Sequence, residues 1–120
     1  MPTPSTIDGF IGTVTAGRYL DAINQYYHDD VKIYENEQLM QGGKAAFLER
    51  EQNMLRQNAS VTAATLYSPL MNGDGVAIAW RFTITGKGGA SKIFEEVAWQ
   101  VWQNQKIISE RFFYNPKQLA

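Results

Sequence analysis

The sequence predicts an α+β domain in which two or three helices of the N-terminal half cover a long antiparallel sheet. Two observations carry this reading. Apolar residues recur at three-four spacing up to about residue 57, and from residue 59 onward the period changes to two. The later runs are separated by short turn signals, as consecutive strands of a meander require.

Ser5 or Thr6 reads as the cap of a first helix with apolar positions Ile7, Phe10, Ile11 and Val14. Gly17 breaks or bends it. Leu20, Ile23, Tyr26 and Tyr27 continue the spacing through a second helix that ends at His28-Asp29-Asp30, and Val31 to Glu35 reads as a short strand. Gly42-Gly43 turns into a third helix, about Lys44 to Gln57. Its apolar face holds Phe47, Leu48, Met54 and Leu55, and its polar face holds Glu49, Arg50, Gln52, Asn53 and Arg56. Val61 to Met71 reads as a strand in which Pro69 marks an edge or a bulge. After the Asn72-Gly73-Asp74-Gly75 turn, Val76, Ile78, Trp80, Phe82 and Ile84 alternate with smaller or polar residues, the clearest strand of the chain. The run Gly86 to Ser91 leads to Lys92–Gln103, and a tight turn at Asn104-Gln105 leads to Lys106–Asn115. Only the preceding helices can cover such a sheet, and a curved sheet over helices leaves a cavity.

Composition excludes several classes. The 120 residues suit a single domain, 1–120, with a real core. No cysteine is present, so disulfides, thiolate metal sites and cysteine nucleophiles are ruled out. With 11 basic and 12 acidic residues spread along the chain there is no basic stripe for nucleic acid. No apolar run is long enough to span a bilayer. The start of the chain lacks a secretory pattern, so a cytoplasmic location is the default expectation. His28 is the only histidine and reads as a helix-end residue. No metal motif occurs, no cofactor is expected, and the serines lack a histidine-acid arrangement. The Gly86–Gly89 run lies between strands without a following helix, so it reads as a loop rather than a phosphate cradle.

The side chains facing the cavity depend on the register of the last hairpin, which is open by one residue. A three-residue turn pairing Trp102 with Lys106 puts Glu96, Ala98, Gln100, Trp102, Ile108, Glu110, Phe112 and Tyr114 on one face. The other face then carries Val97, Trp99, Val101, Ile107 and Phe113. A two-residue turn regroups the strands, and Gln105, where a hairpin favours glycine, does not decide between them. The first register is preferred because it gathers a few polar groups among aromatics, as ligand cavities do. It also leaves an apolar outer patch that suggests a homodimer through the sheet.

Glu35, Glu96 and Glu110 are the candidate catalytic acids. A carboxylate among Trp80, Trp102 and Phe112 would lose hydration and gain a pKa useful for proton transfer. The plainer reading is that each pairs with Arg81 or Arg111 or faces water. Tyr27, Tyr34, Trp80, Gln100, Trp102, Phe112 and Tyr114 are the candidate ligand-binding residues, although aromatics at such spacing are commonly core.

The N-terminal helices, the segment Tyr27-His28-Asp29-Asp30-Val31-Lys32-Ile33-Tyr34-Glu35, the Gly42-Gly43-Lys44 helix start and the ending from Glu96 to Tyr114 resemble the nuclear-transport-factor-2-like superfamily, its SnoaL-like group above all. The resemblance implies a cone-shaped fold, a pocket at the wide end and commonly a homodimer formed through the sheet. The superfamily holds polyketide cyclases, ketosteroid isomerase, epoxide hydrolases, dehydratases and proteins that only bind, so it does not dictate function. Its isomerase pattern needs a tyrosine in the first helix, an acid after the first strand and an acid in the penultimate strand. Glu35 matches the first acid by position, whereas Ile11 falls near the tyrosine and Ala98 or Trp99 near the second acid. Ketosteroid isomerase activity is therefore not expected. The family's aspartate-glycine turn is Asn104-Gln105 here. The expected function is binding of a small apolar or cyclic molecule and, if the chain is an enzyme, cofactor-independent acid-base catalysis of isomerase, cyclase or dehydratase type. The alternatives are a non-catalytic carrier or sensor, or a dimeric interaction module using the sheet face.

Overall fold

Thr3, not Ser5 or Thr6, begins the first helix of the computed structural model, which describes residues 1–119. Its side chain accepts from the Thr6 N–H at 3.1 Å, and Pro4 occupies the first turn, where its missing N–H costs nothing. Helix α1 (Pro4–Thr15) buries Ile7, Phe10 and Val14, and α2 (Tyr19–Tyr26) buries Tyr19, Ala22 and Ile23. No basic residue lies in the last turn of α2. Lysines from elsewhere supply the charge: Lys44 Nζ donates to Asn24 O at 2.9 Å, and Lys106 Nζ donates to Gln25 O.

Strand β1 (Tyr27–Glu35) follows α2 directly, so His28-Asp29-Asp30 lies within the strand rather than ending the helix. A two-residue turn at Asn36-Glu37 leads to the short β2 (Gln38–Met40), and α3 spans Gly43–Gln57. The expected strand 61–71 is two strands, β3 (Asn58–Thr65) and β4 (Leu70–Asn72), with Pro69 between them. Proline cannot donate to a ladder, which is why the break falls there. Strands β5 (Gly75–Gly86), β6 (Ser91–Gln103) and β7 (Lys106–Phe113) form the expected meander, and a short 3-10 helix follows at Pro116–Leu119.

The seven strands form one curved sheet in the order β2-β1-β7-β6-β5-β3, with β4 also on β5. All pairs are antiparallel except β1 with β7. The helices cover one face. Phe10 sits at the centre of the interface, its ring edge-on to those of Tyr26, Tyr27, Trp80 and Trp102 at centroid separations of 5.4–6.4 Å. Such aromatic pairs add about 0.5–1.5 kcal/mol each beyond the area they bury.

The last hairpin corrects the expected pairing. Asn104 and Gln105 both take positive φ, 52° and 61°, and close a two-residue turn with Trp102 opposite Ile107. The side chain of Gln105 clamps the chain start, its Nε2 donating to Met1 O at 3.1 Å. The ladder then shifts: Val101 pairs with Ser109, leaving Ile108 as the extra residue of a bulge. That residue restores the parity a three-residue turn would have produced. Gln100 therefore faces Glu110, and Ala98 faces Phe112, on the covered side as expected. Ile107 and Ile108 exchange roles: Ile107 is fully buried instead of lying on the outer face.

Candidate functional site

Two adjoining cavities lie between the helices and the sheet. The outer one has a volume of about 300 Å³ and is walled by Glu35, Arg50, Glu51, Glu96 and Tyr114 among apolar side chains. The inner one, about 90 Å³, reaches Tyr27, Trp80 and Glu110. They share the walls formed by Phe47, Glu51, Phe82, Glu96 and Phe112.

Each acid has a different origin. Glu35 ends β1, and the Asn36 turn holds it at the rim: the Asn36 N–H donates to Phe112 O at 2.8 Å, and Asn36 Oδ1 accepts from the Tyr114 N–H at 3.0 Å. Glu35 is exposed. Glu96 projects from the middle of β6 opposite Trp80. Glu110 projects from β7 and is 1% exposed. Glu51 comes from α3, four residues after Phe47 and three before Met54, on the helix's inward stripe.

A buried chain of hydrogen bonds fixes Glu110. The Trp102 indole N–H donates to Gln100 Oε1 at 3.0 Å, which directs the amide nitrogen of Gln100 to Glu110 Oε2 at 2.6 Å. The Tyr27 hydroxyl donates to Glu110 Oε1 at 2.5 Å. Gln100 and Trp102 border neither cavity; they hold Glu110 from behind. Tyr34 borders neither cavity as well. Its ring lies under the Arg111 guanidinium, 4.1 Å from the centroid, because it alternates with Ile33 and Glu35 onto the other face.

None of the ion pairs among the described residues involves Glu35, Glu51, Glu96 or Glu110. Arg81 pairs instead with Glu95 at 2.8 Å, and Arg111 donates to Asn36 O. Burial therefore dominates the titration of the inner acids. It pushes Glu96 from 4.5 up to about 8, aided by the charges of Glu110, Glu51 and Glu35. Burial likewise raises Glu51 to about 7, although the Arg50 charge opposes it. Glu110 is raised by burial to about 7 against the stabilising bonds from Tyr27 and Gln100. Burial, then the charge and hydrogen bond of Glu110, raises the Tyr27 phenol well above 10. Tyr114 is raised by burial and by the charges of Glu35 and Glu96.

Two residues of the site lie outside the candidates that the sequence suggests. Glu51 stands on neither face of the third helix as read from sequence, although its spacing from Phe47 and Met54 is a signal for the inward stripe. Arg50, expected on the polar face, borders the outer cavity. His28 is exposed, its Nδ1 accepting from the Asp30 N–H at 3.0 Å. Among the described residues, no cluster of three or more His, Asp or Glu is arranged to hold a metal ion. Among the described residues, no helix is long and apolar enough to cross a membrane.

Three helices packed on a curved, unclosed seven-stranded sheet define an NTF2-like α+β domain. The family model of the SnoaL-like domain matches residues 1–114, and the chain belongs to that family. Comparison with curated proteins returns no match. Among solved structures, a protein from Mesorhizobium loti provisionally called a SnoaL-like polyketide cyclase is 27% identical, covers 95% of this chain and 100% of that one, and has a TM-score of 0.75. An NTF2-like protein of unknown function from Burkholderia pseudomallei has a TM-score of 0.79 at 11% identity, over 96% of this chain and 92% of that one. TerC, co-crystallised with polyporic acid, has a TM-score of 0.79 at 15% identity, over 96% of this chain and 92% of that one. At these lower identities the likeness establishes the fold.

Proposed function

We propose that the chain binds a small, apolar or cyclic molecule in the outer cavity and acts on it by cofactor-independent acid-base chemistry, of isomerase, cyclase or dehydratase type. The observation that carries this reading is the set of carboxyl groups walling an apolar cavity with no ion-pair partner. Unpaired buried carboxyls reduce stability, and sites that retain them commonly use them. Glu35, open to water at the rim, takes the base's part. Glu96, protonated near neutrality, donates to a developing oxyanion of the ligand. Burial, aided by the charges of Glu110 and Glu51, keeps Glu96 protonated, and Tyr114 orients the ligand at the mouth. TerC, a neighbour in fold, takes a small organic molecule.

Screening small cyclic ketones and enols for binding by nuclear magnetic resonance, then for turnover, tests this. With a substrate found, Glu35→Gln and Glu96→Gln should each lower kcat by roughly 10²–10⁴ with the fold intact. Unchanged turnover in both variants would refute the assignment. Binding without turnover in the wild-type protein would leave the carrier reading instead.

We also infer that two copies associate through the outer face of the sheet. Ile93, Val97, Trp99 and Phe113 are 58%, 42%, 42% and 50% exposed there, a large apolar group for an isolated domain.

A further inference from the structure

Among the described residues Arg50 is the one cation bordering the outer cavity, and the fold holds it weakly. Its Nη1 makes a long bond, 3.4 Å, to Gln41 O, and the guanidinium lies 6.0 Å from the Phe47 ring centroid. Its Nη2 is buried and no protein group accepts from it, the only such side-chain atom among the described residues. None of the ion pairs among those residues involves Arg50. A buried guanidinium nitrogen without an acceptor forfeits its hydration and gains nothing in exchange. At pH 7 Glu96, raised to about 8, holds its proton, and Glu51, raised to about 7 against the Arg50 charge, is only half ionised, so neither is a full counter-charge for it.

Resting on the pocket reading above, we propose that Arg50 is the anchor for an oxyanion of the ligand, so that the cavity takes small organic acids rather than neutral molecules. The acid group is a carboxylate or the ionised oxygen of an acidic enol. Both match the planar fork of a guanidinium, which binds two oxygens or one with two parallel N–H groups. Nη2 is enclosed, so the side chain turns about its outer torsions to present the fork, and the long bond to Gln41 O is the contact it gives up. The apolar body of the acid lies against Phe82, Phe94 and Phe112. A cavity of about 300 Å³ equals the liquid volume of about ten water molecules, which suits a molecule of one or two rings.

Two matched pairs of probes test this by calorimetric titration at pH 7: 2-naphthoate with 2-naphthamide, and dimedone, an acidic cyclic 1,3-diketone, with its O-methyl enol ether. At least one anion should bind tenfold or more tightly than its neutral partner, and the pair showing the preference identifies the oxyanion. Arg50→Gln should erase the preference while leaving the neutral partner's affinity unchanged, and Arg50→Lys should retain part of it. Without ligand, Arg50→Gln should melt no lower than wild type, because the guanidinium it removes is unsatisfied. Equal binding within both pairs, or a preference that survives Arg50→Gln, would overturn the anchor and leave the pocket reading standing. A clearly lower melting temperature would show that the fold itself satisfies Arg50, and would overturn it too. Failure of all four probes to bind wild type at millimolar concentration would refute the pocket reading and the anchor together.

Discussion

Glu96 holds a proton that an exposed glutamate would have released, and this has a consequence for stability. In the unfolded chain its carboxyl titrates near 4.5; in the folded protein burial raises it to about 8. Below pH 4.5 both states are protonated and this group leaves stability independent of pH. Between 4.5 and 8 only the folded state keeps the proton, so stability falls as pH rises through that window, and above 8 the loss is complete. A tenfold difference in proton affinity between the two states corresponds to about 1.4 kcal/mol. Glu51 and Glu110 add falls of the same sign between 4.5 and about 7. The melting temperature should therefore be higher at pH 5 than at pH 8, the reverse of a protein held by ionised carboxylates. Glu96→Gln should flatten the profile between pH 7 and 8; an unchanged slope there would exclude Glu96 as its source. Glu96 and Glu110 are legible in the sequence as inward acids because strand alternation assigns each residue to a face. Glu51 is not, because a lone acid on a helix with many polar residues gives no contrast until its angle to Phe47 and Met54 is considered.

At the level of elements, the sheet is readable where one face is buried and obscure where local chemistry departs from habit. The alternation of Val76, Ile78 and Trp80 identifies β5 because all three are at most 3% exposed while their neighbours are more open. The β6–β7 hairpin shows the opposite case. Gln105 takes the left-handed position that glycine usually fills and uses its side chain to clamp Met1, so neither the length of the turn nor the bulge at Ile108 leaves a sequence signature. Strand β2, only three residues long, offers no period to detect. The start of α3 gives a test at this scale. Gly43 has φ +63°, and a Cβ there would sit 2.7 Å from the Asp29 carbonyl oxygen, which is backbone and cannot swing away. Gly43→Ala should cost about 1–3 kcal/mol in urea unfolding. It should also displace the helix that brings Arg50 and Glu51 to the cavity, so ligand affinity should fall with stability. A fully stable variant would mean that the α3 start relaxes without strain.

For the whole molecule, the two faces of the sheet have opposite fates, and the outer one sets the last prediction. The inner face is covered by the helices, whereas the outer face carries Val97 opposite Phe113, with Trp99 beside them and Ile93 farther along β6. The Trp99 indole lies against Gly75, where a Cβ would come within 2.4 Å of the ring. A half-exposed tryptophan beside exposed apolar side chains is the composition of an interface centre, and the Arg81–Glu95 pair supplies a polar margin. A two-fold arrangement would oppose each patch to its own copy and leave no open edge for further growth. Wild-type protein should therefore sediment as a dimer at micromolar concentration. Trp99→Arg would place two cations across the axis, so it should yield a monomer while changing the urea midpoint of the separated domain little. Ile107, which lies inside, should behave in the reverse way: Ile107→Ala should lower stability by about 2–5 kcal/mol, as removal of a fully buried isoleucine does, without a direct effect on the interface. A wild-type monomer at micromolar concentration would show that the outer face stays open to solvent and would refute the association.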